Sequence, residues 1–337
     1  MKAKDNFSLS LQWILGGILL VIALLVPLFA QTYWLHVLII AYFYALLASS
    51  WSLLAGYAGQ FSFGHMAFMA IGAYTTGLLG RYFGIGPFLG IIFGTLMAGL
   101  MGLAIGALVL RFKASYLALF TIAFSEILRM ILNGESDITR GDQGLSIVPL
   151  LGEEIISRVP YYYIMLAVLL VCMVLMYWLA NSRVGLFLRA IREDEEAAAA
   201  RGVNVVRYKV LTFVVTSMIA GLAGGFFAHY ITLITPNIMI IPQMGLVIAM
   251  AIVGGVESLF AAAMGGIIIQ VSLEVLREFG AWRLVIFGAL LIITLRFARD
   301  GLIAPIMQKV MGTAPKAELR TQTDAQKVAK EDVLDES

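Results

Sequence analysis

The sequence is short of almost everything a water-soluble protein relies on. Only 13% of its 337 residues are charged and 61% are hydrophobic, whereas soluble domains are about a quarter charged. A single cysteine, Cys172, rules out a disulfide framework or a cysteine-based metal site within the chain. It lies in the apolar run 164–179 and reads as a small core hydrophobe. The three histidines, His36, His65 and His229, are scattered without metal-ligand spacing. No G-x-x-x-x-G-K-[ST] occurs, so the chain has no P-loop to cradle a nucleotide. A net charge of +2 says little about partners, and nothing in the pattern calls for nucleic acid.

What is present is a succession of long apolar runs. Runs of about twenty residues mark membrane-spanning helices, and these do not alternate as the shorter strands of a β-barrel would. The fold class is therefore all-α, a polytopic membrane protein. About ten spans are expected on length, near 11–30, 33–55, 66–80, 87–110, 115–132, 161–180, 210–233, 243–256, 260–277 and 282–298. The first is too long for a secretory signal and has Leu28 where a cleavage site needs a small residue, so it reads as an uncleaved span. With both termini in the cytoplasm, seventeen of the Lys and Arg residues fall inside, from Lys2 and Lys4 to Lys330, and six fall outside. That asymmetry obeys the positive-inside rule, and Trp34, Tyr161–Tyr163, Trp178 and Trp282 fall at span ends where aromatic belts form. Residues 1–308 then make one transmembrane domain, 133–160 a modestly acidic external loop, and 309–337 a disordered mixed-charge tail.

Many of the 33 glycines lie inside spans. Small residues let membrane helices approach closely, and glycine also permits helix breaks around a transport path. "GQFSFGH" puts Gln60, Ser62 and His65 between glycines at the start of the third span. It suits either a broken helix lining a path or a cytoplasmic turn. Glu126 and Arg129, three apart in the fifth span, are either a functional pair or a structural ion pair. His229 reads as a structural residue, and Gln270 with Glu274 face either a path or a neighbouring helix.

Amid this apolar chain, "REDEEAAAARGVN" begins at Arg192. Alanine and glutamate favour helix, early acids and late Arg201 complement the helix dipole, and Gly202 stands where a helix-ending glycine belongs. The segment 183–209 is too long for a plain connection between spans. A short alanine-faced helix there suits docking onto another protein.

Glu196-Ala197-Ala198 followed by Gly202 resembles the E-A-A-x-x-x-G core of the coupling loop in ABC importer permeases. "SRVGLFLRAIREDEEAAAARGVN" is similar to the loop of the branched-chain amino acid permeases in particular. "AGYAGQFSFGHMAFMAIGAYTTGLL" and "VGGVESLFAAAMGGIII" with "RLVIFGALLIITLRFARDGLI" resemble the same family, so the likeness covers roughly residues 30–305. Downstream of Gly202 the chain departs from the wider importer pattern, since "VVRYKVLTFVVTS" lacks the expected proline.

The resemblance implies a permease subunit of a bacterial inner-membrane importer for branched-chain or hydrophobic amino acids. It implies a coupling helix carrying Arg192, Glu193, Glu196, Ala197, Ala198 and Gly202, and no catalytic centre in this chain. ATP and Mg would belong to two partner ATPase subunits. A second related permease and an extracytoplasmic binding protein would complete the complex. Gln60, Ser62, His65 and Glu126 are the candidates for the translocation path. Urea or short amides as cargo, and a gradient-driven secondary transporter, are the alternatives.

Overall fold

A computed structural model describes residue 17 and residues 20–109, 114–152, 157–280, 282–297 and 301–305. Lys2, Lys4, most of the span expected at 11–30 before Leu20, and the tail 309–337 lie outside the described residues. The helices are α1 (Leu20–Phe29), α2 (Thr32–Ser52), α3 (His65–Phe83), α4 (Pro87–Val109), α5 (Ala114–Gly134) and α6 (Val159–Asn181). They continue as α7 (Arg183–Glu193), α8 (Glu195–Ala200), α9 (Val205–Ile231), α10 (Ile241–Gly254), α11 (Leu259–Val275) and α12 (Trp282–Phe297).

Among the described residues, six helical stretches are long and apolar enough to cross a membrane: Thr32–Tyr57, Pro87–Val109, Tyr116–Gly134, Val159–Asn181, Val205–Ile231 and Leu259–Phe279. Three apolar helices are shorter, at Leu20–Phe29, Ile241–Gly254 and Val285–Thr294. The ten spans expected from the sequence are thus reduced to six on this measure. α3 is absent from the six because His65, Tyr74, Thr75, Thr76 and Arg81 dilute its apolar character. A helix enclosed by others need not offer lipid an apolar surface all round. α3 is enclosed by α4 and α9, and most of its length is buried.

α2 is the axis of the molecule, with 83% of its most apolar window buried, whereas α5 is peripheral at 17%. α2 packs on α6, α9, α10 and α11, and their facing side chains form the main core around Phe43, Leu46, Trp51, Tyr162, Phe213 and Val247. Inside a bilayer, hydrophobicity does not pull helices together, so close packing has to. Glycine makes it close: a Cβ on Gly224 would lie 1.9 Å from the Met69 carbonyl oxygen, and one on Gly72 2.1 Å from that of Gly221. A Cβ on Gly94 would lie 2.6 Å from the Gly72 carbonyl oxygen, so α3, α4 and α9 meet backbone to backbone. On the other side of α2, a Cβ on Gly266 of α11 would lie 2.7 Å from the Ala45 Cα.

The loop between α5 and α6 is less solvated than its acidic composition suggests. Leu145–Ser146 pairs antiparallel with Leu233–Ile234, just beyond α9. Leu145, Ile147 and Ile234 then pack with Ala67, Ala70, Tyr74 and Ala228 of the bundle. The loop caps one end of α3 and α9. His229 belongs to this cap, its Nδ1 within 2.7 Å of the Val148 carbonyl oxygen and its Nε2 2.8 Å from Thr76 Oγ1. It has the structural role expected of it.

The glycine contacts make a direct prediction. Gly224→Leu and Gly72→Leu each force a side chain into a backbone and should cost at least the roughly 1–3 kcal/mol of an overpacked core. Gly288→Leu, at a position with nothing within 4 Å of a Cβ, should be neutral. Heat-challenged samples read by fluorescence-detected size-exclusion chromatography would show it. If Gly224→Leu were as heat-stable as the parent, the seam would not be the packing determinant described here.

Candidate functional site

Two neighbouring regions carry the candidate residues. The first is the break between α2 and α3. α2 runs on through a π-helical turn at Leu53–Tyr57, a distortion common where function needs a local departure from α geometry. The chain then leaves the helix, with Gly59 in the left-handed region at φ +66°. Buried backbone freed by a break must find other partners. Gln60 N–H donates to the Leu54 carbonyl at 3.1 Å, Phe63 N–H to Thr121 Oγ1 at 2.9 Å and Gly64 N–H to Ser62 Oγ at 3.1 Å. The Trp51 indole donates to the Ser62 carbonyl at 2.8 Å. The segment is a stitched knot, with Gln60, Ser62 and Gly64 buried and Phe61 exposed.

Gln60, Ser62 and His65 all lie in this knot, each at most 2% exposed. His65 Nε2 is 3.4 Å from Ser50 Oγ. His65 Nδ1 and both amide atoms of Gln60 have no hydrogen-bond partner among the described residues. Buried polar atoms are almost always paired, so three orphans in one short segment require an explanation. Glu126 is elsewhere. It is bound by Arg129 at 2.5 Å and 3.0 Å and borders a small cleft shared with Phe63, Ser125, Met239, Ile241 and Met244. Phe63 is therefore the link between the knot and Glu126. The predicted path residues form one buried cluster of three and one partly exposed neighbour.

The second region is the charged insert. The expected single short helix is two helices meeting at Asp194. α7 starts at Ser182, whose Oγ accepts from Val184 N–H at 3.2 Å. Asp194 closes α7 and also begins α8, its Oδ1 accepting from Ala197 N–H at 2.9 Å. α8 ends as the sequence implies. Gly202 adopts φ +84°, its N–H donates to the Ala199 carbonyl at 2.9 Å and Val203 N–H donates to that of Ala198 at 3.1 Å. Asn204 then caps α9 through Arg207 N–H at 3.1 Å. Ile191, Ala198 and Val205 form a small core beneath the insert, with Val203 and Tyr208 against it.

This arrangement divides the six predicted coupling residues. Glu193, Glu196, Ala197 and Gly202 are exposed on the outer face. Ala198 is buried in the small core. Arg192 also turns inward, with its guanidinium donating to the Gly56 carbonyl and, at 2.9 Å, to Glu257. Arg189 lies over the Tyr57 ring at 5.1 Å. Lys209, 6% exposed, reaches Glu195 at 2.6 Å. Sequence reasoning missed Gly56, Glu257, Lys209 and Thr121 as parts of the site. Their partners lie 136, 65, 14 and 58 residues away, and no local pattern signals such pairings.

The Lys209–Glu195 pair should respond unequally to its two halves. Glu195→Ala strands a buried ammonium and should cost about 1–3 kcal/mol, because an unsatisfied buried polar group bears its full desolvation penalty. Lys209→Met leaves only a half-exposed carboxylate and should cost less. Thermal unfolding of both variants and hydrogen exchange across 191–209 would test the order. Equal losses would contradict it.

The comparisons with known proteins agree across most of the length. A family model described as "Branched-chain amino acid transport system / permease component" matches residues 33–295. The high-affinity branched-chain amino acid transport system permease protein LivM of Escherichia coli (strain K12) is 29% identical over 311 residues, covering 85% of this chain and 73% of the relative. The probable branched-chain amino acid transport permease protein LivM of Methanocaldococcus jannaschii is 24% identical, covering 81% and 96%. The corresponding permease protein LivH of Escherichia coli (strain K12) is also 24% identical, covering 79% and 93%. No solved structure matches the chain. The family match takes in α2 to α11 with both the buried knot and the charged insert, and this multi-pass membrane protein belongs to the permease components of branched-chain amino acid transport systems.

Proposed function

We propose that this chain is the membrane subunit of an ATP-driven importer for leucine, isoleucine and valine, with α7 and α8 as its coupling element. The observation that carries the reading is the outer face formed by α7, α8 and the turn at Gly202. Glu193, Glu196, Ala197 and Gly202 stand exposed while caps at Ser182, Asp194 and Asn204 and the core beneath hold the backbone in place. A preformed face of small and acidic side chains loses little conformational entropy when a partner docks. Two ATPase subunits bearing the ATP and Mg would dock there. A second related permease and an extracytoplasmic binding protein would complete the complex. LivM and LivH, two permeases named for one transport system, both align with this chain, which supports the paired arrangement.

In this reading 183–209 and both termini lie in the cytoplasm, as the excess of Lys and Arg on that side favours, and α3 and the three shorter helices complete the spans. The orphaned atoms of Gln60 and His65 suit the polar ends of a passing amino acid or its water, and the surrounding apolar core suits its side chain. A gradient-driven transporter draws on membrane carboxylates as relays. Here Glu126 is held by Arg129, and Glu274 by Arg277 at 3.0 Å and by the Tyr33 hydroxyl, so that reading gains nothing. Urea or short amides likewise have no feature in their favour.

The test is a double variant on the outer face, Glu196→Arg with Gly202→Trp, co-expressed with the ATPases encoded nearby. The ATPases should no longer co-purify, and ATP-dependent leucine uptake in proteoliposomes should fall to background while the variant remains folded in the membrane. Retention of both would falsify the coupling role of α8.

A further inference from the structure

We infer that Arg192 is an internal strut, fixing α7 at once to the end of α2 and to the turn between α10 and α11. A push on α8 then reaches the broken segment and α10 together. The inference deepens the proposed coupling role and rests on that reading for its consequence in transport. It differs in what it says of Arg192: the residue works inside this chain and is not a contact for the ATPase.

The joint that Arg192 closes is already tight. Residues 52–57 and 255–258 touch where Gly56 meets the Val256 backbone directly. A Cβ on Gly56 would lie 1.9 Å from the Val256 carbonyl oxygen, and Ser52 Oγ donates to that same oxygen at 2.6 Å. Arg192 lies across the joint. Its Nη1 donates to the Gly56 carbonyl on one side, and its Nη2 donates to Glu257 at 2.9 Å on the other. Nη2 also reaches Glu193 at 3.1 Å, which holds the fork to its own helix. The stem is fitted as well, since a Cβ on Gly59 would come within 3.0 Å of the Arg192 Cγ.

The chemistry of the joint requires arginine. A planar guanidinium directs donors along two axes at once, whereas an ammonium is a point charge on a flexible stem. One axis meets a backbone carbonyl in the π-helical turn, and the other meets a carboxylate 65 residues along the chain. Just past the first contact the chain enters the knot holding Gln60 and His65, and just before the second lies α10. Arg189 over Tyr57 ties α7 to the same turn. Arg192 bonds from α7 to both sides of the joint.

The decisive variants are Arg192→Lys and Glu257→Ala, made in the full complex. Expected for both are ATPase co-purification and ATP hydrolysis close to the parent, with leucine transported per ATP reduced by about tenfold, within the usual range for coupling between sites. Loss of ATPase binding in Arg192→Lys, matching the outer-face double variant, would make Arg192 a docking contact and overturn the strut. An unchanged leucine-to-ATP ratio in both variants would overturn it too.

A second measurement uses the permease alone. Spin labels at Ala200→Cys on α8 and Phe260→Cys on α11, with Cys172→Ala as background, report the separation of insert and turn. The distance distribution should broaden in Arg192→Lys and in Glu257→Ala, and an unaltered distribution in both removes the strut. If the parent complex itself fails to couple ATP to leucine uptake, the proposed function falls, while the labels still decide whether Arg192 holds the joint.

Discussion

The constraint on which this structure depends is close approach of backbones where no water can help. Lipid is as apolar as the side chains it meets, so helices associate through packing and internal hydrogen bonds. Glycine provides the packing at several main contacts: Gly72, Gly94, Gly221 and Gly224 join α3, α4 and α9, and Gly266 joins α11 to α2. Gly56 does the same against Val256, beside the functional region. Any side chain at these points would separate elements whose polar backbone groups rely on being adjacent.

That close packing makes the break after α2 tolerable. A buried non-helical stretch leaves amide and carbonyl groups that must be satisfied within the chain. Here Leu54, Trp51, Ser62 and Thr121 take up the backbone bonds, and the enclosed helix α3 can start again at His65. Among the side chains of the break, Gln60 and His65 keep buried polar atoms without a hydrogen-bond partner among the described residues.

The charged insert follows the same economy of surfaces. α8 is only six residues long, too short to be stable alone, and it persists because its ends are capped and Ala198 is packed. With the backbone so held, Glu196, Ala197 and Gly202 face outward, while Arg192 and Ala198 make their contacts inside the chain. Arg192 and Glu193 are neighbours in sequence, yet one is bound into the bundle and the other faces out. Residues in a single motif therefore divide into exposed and inward-bonded positions according to which side of the helix they occupy.

Much of this was legible from local chemistry. Long apolar runs announced a helical membrane protein because lipid excludes charge and unpaired backbone over the whole length of a span. The Gly202 signal marked a helix end because a helix-ending glycine is recognised from residues only a few positions away. The glycine content implied close helix packing, and the family likeness in three separate blocks is matched by the family model over residues 33–295. Local signals did not reveal that α3 would be enclosed, that the loop after α5 would pair Leu145 with Ile234, or that the insert would break in two at Asp194. Nor did they show which motif residues turn inward. Those outcomes depend on contacts such as Arg192 with Gly56 and Glu257, or Thr121 with Phe63. Residue type and spacing could specify the helices, but only their packing decided which polar groups would meet, because each such bond joins residues that the chain itself keeps far apart.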